Sequence, residues 1–202
     1  MTTPPIRTLT FGALSWNDPR LIQALYPEDT PPDWHLSCYA SHFDTVLVAE
    51  ADWRGADPVV WLESLPSQFW FYLRVEAPLD EAGLAQLVSL VEGLGDRLGG
   101  VVLDAPAASV EATLRARLPA VPVFTVTGPA GPGRVWTGPD SPCPCGMVGW
   151  LRFEVRPTPR ELRAAVEGFL ACQEEPWCVL FLDAPAETFE DARVIGQLFG
   201  VC

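Results

Sequence analysis

Short apolar runs alternate with longer amphipathic ones along most of the chain. Seven runs, at 6–11, 45–49, 69–75, 100–103, 121–126, 148–155 and 177–182, are rich in Val, Phe, Trp and Leu. They read as β-strands. Strands apolar on both faces belong to parallel sheets covered on their outer side, and intervening helices make a right-handed β/α series. Between the strands the period changes to 3.6: Leu84, Leu87, Val88, Val91, Leu94 and Leu98 follow the capping residue Asp80, and Gly99-Gly100 ends the run. Thr158-Pro159-Arg160-Glu161 sets a capping Thr, a first-turn Pro and an N3 Glu ahead of Leu162, Ala165, Val166, Phe169 and Leu170. Further helices are expected over 33–43, after Asp57-Pro58, after Ser109 and after Thr188.

One stretch breaks the alternation. Residues 128–146 are too rich in Pro and Gly for a long helix, so they predict a protruding loop. An eighth strand survives there only as a stub around 134–137. Elsewhere Leu103-Asp104-Ala105-Pro106-Ala107 recurs as Leu182-Asp183-Ala184-Pro185-Ala186. If these end the fourth and eighth strands, Asp104 and Asp183 share one rim of a barrel and face each other across it. Equally, one good strand-to-helix turn used twice, or chance recurrence of five small residues, accounts for the repeat.

The length of 202 residues suits one domain spanning 1–202. Acidic residues number 26 against 13 basic ones, and a net charge of −13 repels a phosphate backbone. Nucleic acid is therefore not an expected partner. The N-terminal residues lack the basic start and apolar stretch of a secretory signal, and the apolar runs are too short to cross a bilayer. A cytoplasmic protein without a membrane partner is expected. Its six cysteines, at 38, 143, 145, 172, 178 and 202, are too dispersed for a disulfide scaffold, so reduced thiols are expected. Cys143-Pro144-Cys145 reads as an incidental loop pair and not a metal site. No cofactor is indicated.

In a β/α barrel, chemistry gathers at the carboxyl ends of the strands. Glu50, Asp52, Glu76, Asp104, Glu154 and Asp183 fall there, which predicts an acidic mouth. Paired carboxylates there would bind a divalent cation or divide acid and base roles, as in glycoside hydrolysis. Helix caps and solvated loop residues are the competing account. Trp16 and Trp53 also follow strand ends, where an indole can stack on a ligand. His35, Cys38 and His42 share one helical face, yet without a fourth ligand they read as packing residues.

The opening third carries Gly12, Ser15-Trp16, Leu25-Tyr26-Pro27-Glu28, Trp34, Tyr39-Ala40-Ser41-His42-Phe43 and Thr45-Val46. In order and spacing this resembles the YecE-like family, a bacterial domain of unknown function with a TIM-barrel-like fold. Leu65-Pro66-Ser67-Gln68-Phe69, Ala77-Pro78, 101–106, Trp150-Leu151-Arg152 and 179–200 extend the resemblance more weakly. It implies an α/β TIM-barrel-like fold, here reduced to seven clear strands and a stub. The departures fall on polar positions: Ala49-Glu50-Ala51-Asp52-Trp53 replaces Asn-Ser-x-Phe-Tyr, Glu76 a lysine, Asp104 a glutamine and Asp183-Ala184 an asparagine pair. The family's Glu-x-Arg-His stretch has no counterpart. A catalytically reduced or non-catalytic barrel that binds a small ligand or a protein partner is the reading these departures favour. A hydrolase-like enzyme using the acidic mouth and a structural or oligomeric subunit are the alternatives.

Overall fold

The computed structural model describes residues 8–63, 65–104 and 108–201. Its strands are β1 (Thr8–Ala13), β2 (Thr45–Val48), β3 (Trp70–Val75), β4 (Leu98–Leu103), β5 (Val123–Thr125), β6 (Val148–Arg152) and β7 (Trp177–Asp183). All pair in parallel, in the order β5-β4-β3-β2-β1-β7-β6, forming a curled, TIM-barrel-like sheet. The described helices are α1 (Pro19–Leu25), α2 (His35–Ala40), α3 (Glu50–Trp53), α4 (Pro58–Glu63), α5 (Glu81–Leu94), α6 (Ala108–Arg117), α7 (Pro159–Ala171) and α8 (Glu187–Phe199). None is long and apolar enough to cross a membrane.

The strands are apolar on both faces because both faces are buried. Leu47, Tyr72, Val102, Phe124, Val148, Val179 and Phe181 point inward and fill the barrel. Their neighbours, such as Val46, Leu73, Val101 and Leu180, join the larger core beneath the helices. Two-residue alternation thus sorts each strand into an axial and a helical layer. Each of the seven strand runs in the sequence overlaps a strand, with shifted ends. Leu98, whose spacing continues the α5 pattern, instead opens β4, because the helix stops at Gly95 with φ of 53°. Asp80 caps α5 through Gly83 N–H, and Thr158 and Glu161 form a full capping box on α7.

The loop predicted over 128–146 contains no helix, and its stub has a definite task. Arg134 bridges to Thr125 of β5, and Trp136 bridges to Gly149 of β6. Thr125 N–H donates to the Gly133 carbonyl and Val135 N–H to the Thr125 carbonyl. On the other side Trp136 N–H donates to the Val148 carbonyl and Trp150 N–H to that of Trp136. The stub therefore joins the two edges of the sheet. Val135 enters the axial core, while Trp136 packs on Phe169 of α7 at 5.4 Å. Counted with the stub, β7 is the eighth member of the ring.

The expectation of reduced, unconnected cysteines is corrected here. Cys143 is disulfide-bonded to Cys172, just beyond α7, with Cα atoms 5.5 Å apart. The partner lies 29 residues away, and the fold of the loop against α7 brings the two together. Cys38 and Cys145 are free thiols.

Candidate functional site at the carboxyl end of the strands

Inward alternation continues past the apolar core to the carboxyl ends of the strands. After Tyr72 come Arg74 and Glu76, after Val102 comes Asp104, after Val148 come Trp150 and Arg152, and after Phe181 comes Asp183. Asp104 and Asp183 lie on the same rim, on members four apart in the ring of eight. Neither is a free carboxylate. Arg74 donates to Asp104 Oδ2 from Nη2 at 2.5 Å and from Nε at 2.9 Å, and reaches Glu76 Oε1 at 2.9 Å. Its guanidinium also lies 4.4 Å from the centre of the Trp150 ring. Two buried atoms in this cluster, Asp104 Oδ1 and Trp150 Nε1, have no hydrogen-bond partner among the described residues.

Asp183 is held from two sides. Arg20 Nη2 donates to Oδ1 at 2.6 Å and Arg152 Nε to Oδ2 at 2.7 Å. Burial alone would raise its pKa, but the two guanidinium hydrogen bonds outweigh it and hold the group below the usual aspartate value. Two inward-pointing carboxylates alone would repel each other and raise one pKa; at Asp183 the two guanidinium groups outweigh that repulsion. Arg20 is itself anchored by Asp18, the N-cap of α1.

The remaining sequence candidates have other surroundings. Glu50 is buried at the start of α3; its Oε1 accepts from Arg54 and its Oε2 from Glu76 N–H at 2.9 Å. Despite burial, those bonds lower its pKa. Asp52 accepts from Ser15 Oγ at 2.6 Å and Asn17 Nδ2 at 3.1 Å, tying α3 to the loop after β1. Trp53 is fully buried and its Nε1 donates to the Arg74 carbonyl at 2.7 Å. Trp16 is buried edge-on against Trp61 at 5.1 Å. Both indoles thus act in packing, without an open ring face. Glu154 is exposed beyond β6, beside Arg152. His35 meets Asn17 Oδ1 at 3.1 Å and the Thr30 carbonyl at 3.2 Å, while His42 is exposed. The repeated turn cannot be compared in full, since residues 105–107 lie outside the described residues.

Sequence reasoning missed Arg20, Arg74, Trp150 and Arg152. Period-two counting from the inward apolar residues would have found Arg74, Trp150 and Arg152. Arg20 carries no such signal, because it reaches Asp183 across 163 positions.

No family model matches the chain, and no curated protein matches it. Solved structures do. A DUF72 family protein from Enterococcus faecalis V583 has a TM-score of 0.66 at 12% identity, over 94% of this chain and 96% of that one. A DUF72 family protein from Thermotoga maritima MSB8 has a TM-score of 0.62 at 14% identity, over 96% and 99% respectively. At such identities the likeness establishes the fold, that of an α/β TIM-barrel-like protein.

Proposed function

We propose that this chain is a divergent YecE-like barrel of one domain, catalytically reduced, that binds a small polar ligand at the carboxyl end of its strands. The supporting observation is the pair of buried, unpartnered atoms beside Arg74: an acceptor, Asp104 Oδ1, and a donor, Trp150 Nε1–H. Leaving such groups unpaired is costly, so a ligand offering one donor and one acceptor gains what the protein forgoes. A hydroxyl or amide group has that chemistry. The hydrolase alternative needs a carboxylic acid kept neutral, whereas Asp183 is held ionised by Arg20 and Arg152.

The test is a thermal-shift screen of sugars, amino acids and nucleosides, followed by calorimetric titration of any hit. Trp150→Phe keeps the ring and removes the donor, and is expected to weaken binding about tenfold. An affinity unchanged in both Trp150→Phe and Asp104→Asn would overturn the site. Turnover of a glycoside or ester, abolished in Asp183→Asn, would overturn the reduced-catalysis reading.

A further inference from the structure

The ring of helices has a gap. Every other pair of consecutive described strands is separated by at least one helix, whereas β5 and β6 are joined by the loop and stub alone. The outer face of β5 and the stub therefore lacks a helix of its own. A cavity of about 430 Å³ occupies this place, walled by α6, by Val123 and Thr125 of β5, by 127–131 and by Arg134. It lies on the helical side of the sheet, because Val123 belongs to the outer core and Phe124 to the axial one.

Arg134 is the unusual member of that wall. Among the described residues its buried Nε and Nη1 have no hydrogen-bond partner and its guanidinium takes part in no ion pair. Nearby Glu111 does not compensate it, since Glu111 Oε1 accepts from Arg115 Nη2 at 2.8 Å and from Nε at 3.0 Å. Two arginines and one glutamate thus leave this cavity net positive in a chain of net charge −13. A part-buried cation without a counter-charge is costly, and an anion in the adjoining space removes that cost.

We infer that this cavity outside β5 is a binding site for the phosphate group of a small molecule, with Arg134 as its principal anchor. Thr125 and Thr127 supply hydroxyls on the same wall. The loop turns past Thr125 at Gly128, whose φ of 125° favours glycine. A guanidinium beside hydroxyl donors suits an oxyanion with several acceptor oxygens. The site is separate from the strand-end cluster and does not depend on it.

Inorganic phosphate is the probe, titrated into the full chain by calorimetry, with sodium chloride at matched ionic strength as the control. Binding is expected in wild type, about tenfold weaker in Arg134→Gln and unchanged in Arg152→Gln, which alters only the strand-end arginines. Ala130→Glu, on the exposed loop lining the cavity, places a repelling charge without touching the core and is expected to abolish binding even where Arg134→Gln fails to fold. Phosphate binding that survives Ala130→Glu, or is lost in Arg152→Gln, would overturn the assignment. Sedimentation with phosphatidylcholine vesicles containing phosphatidic acid separates the sources of the phosphate group. Wild type is expected in the supernatant; Arg134-dependent co-pelleting would overturn the small-molecule reading in favour of a lipid headgroup.

Discussion

Asp183 shows how a single residue can be legible in kind and not in state. Its place at a strand end follows from the apolar run before it, but its ionisation depends on Arg20 and Arg152, which lie 163 and 31 positions away. Pairing over such separations leaves no local pattern. Because the folded pKa lies below the unfolded value, the ion pairs add stability that is fully present above about pH 4 and is lost as pH falls further. In Asp183→Asn this acid-dependent part is expected to disappear. Urea melts between about pH 6 and pH 3 should show a shallower fall in midpoint than wild type; parallel curves would show that the pairs contribute nothing. Trp16 and Trp53 teach the opposite lesson. Their positions at strand ends were read correctly, yet their size made burial the more favourable outcome.

Among the elements, α7 was the most legible because its start is local chemistry: Thr158, Pro159 and Glu161 lie within four residues and form the expected capping box. The stub lies at the other extreme. Its backbone bonds to β5 and β6 involve only 133–136, too short a run for periodicity to register. What fixes it is close backbone approach. A Cβ on Gly146 would stand 2.1 Å from the Pro132 carbonyl oxygen, and Gly146 N–H donates to the Arg134 carbonyl at 2.7 Å. Gly146→Ala is therefore expected to displace the stub and destabilise the protein by about 1–3 kcal/mol, the usual cost of overpacking. Thermal melts followed by near-ultraviolet circular dichroism will also report Trp136 leaving its contact with Phe169. An unchanged melt would show that the stub is not held through this contact.

On the scale of the whole molecule, the alternation of apolar runs was enough to indicate a parallel α/β barrel, and the solved neighbours share that fold. The disulfide was not legible, because cysteine spacing says nothing of which loops meet. Alkylation of the purified, unfolded chain followed by peptide mapping is expected to label Cys38 and Cys145 and to leave Cys143 and Cys172 protected. Labelling at Cys143 would refute the bond. Its loss should cost about 3–4 kcal/mol, the chain-entropy value for a span of 29 residues. That bond tethers the loop whose stub closes the barrel. A keystone of three or four residues is also an interchangeable part: the same segment from a neighbouring molecule offers identical donors and acceptors. Once the tether is cut, β5 and β6 present two open edges, and concentrated protein is then poised to exchange stubs between copies.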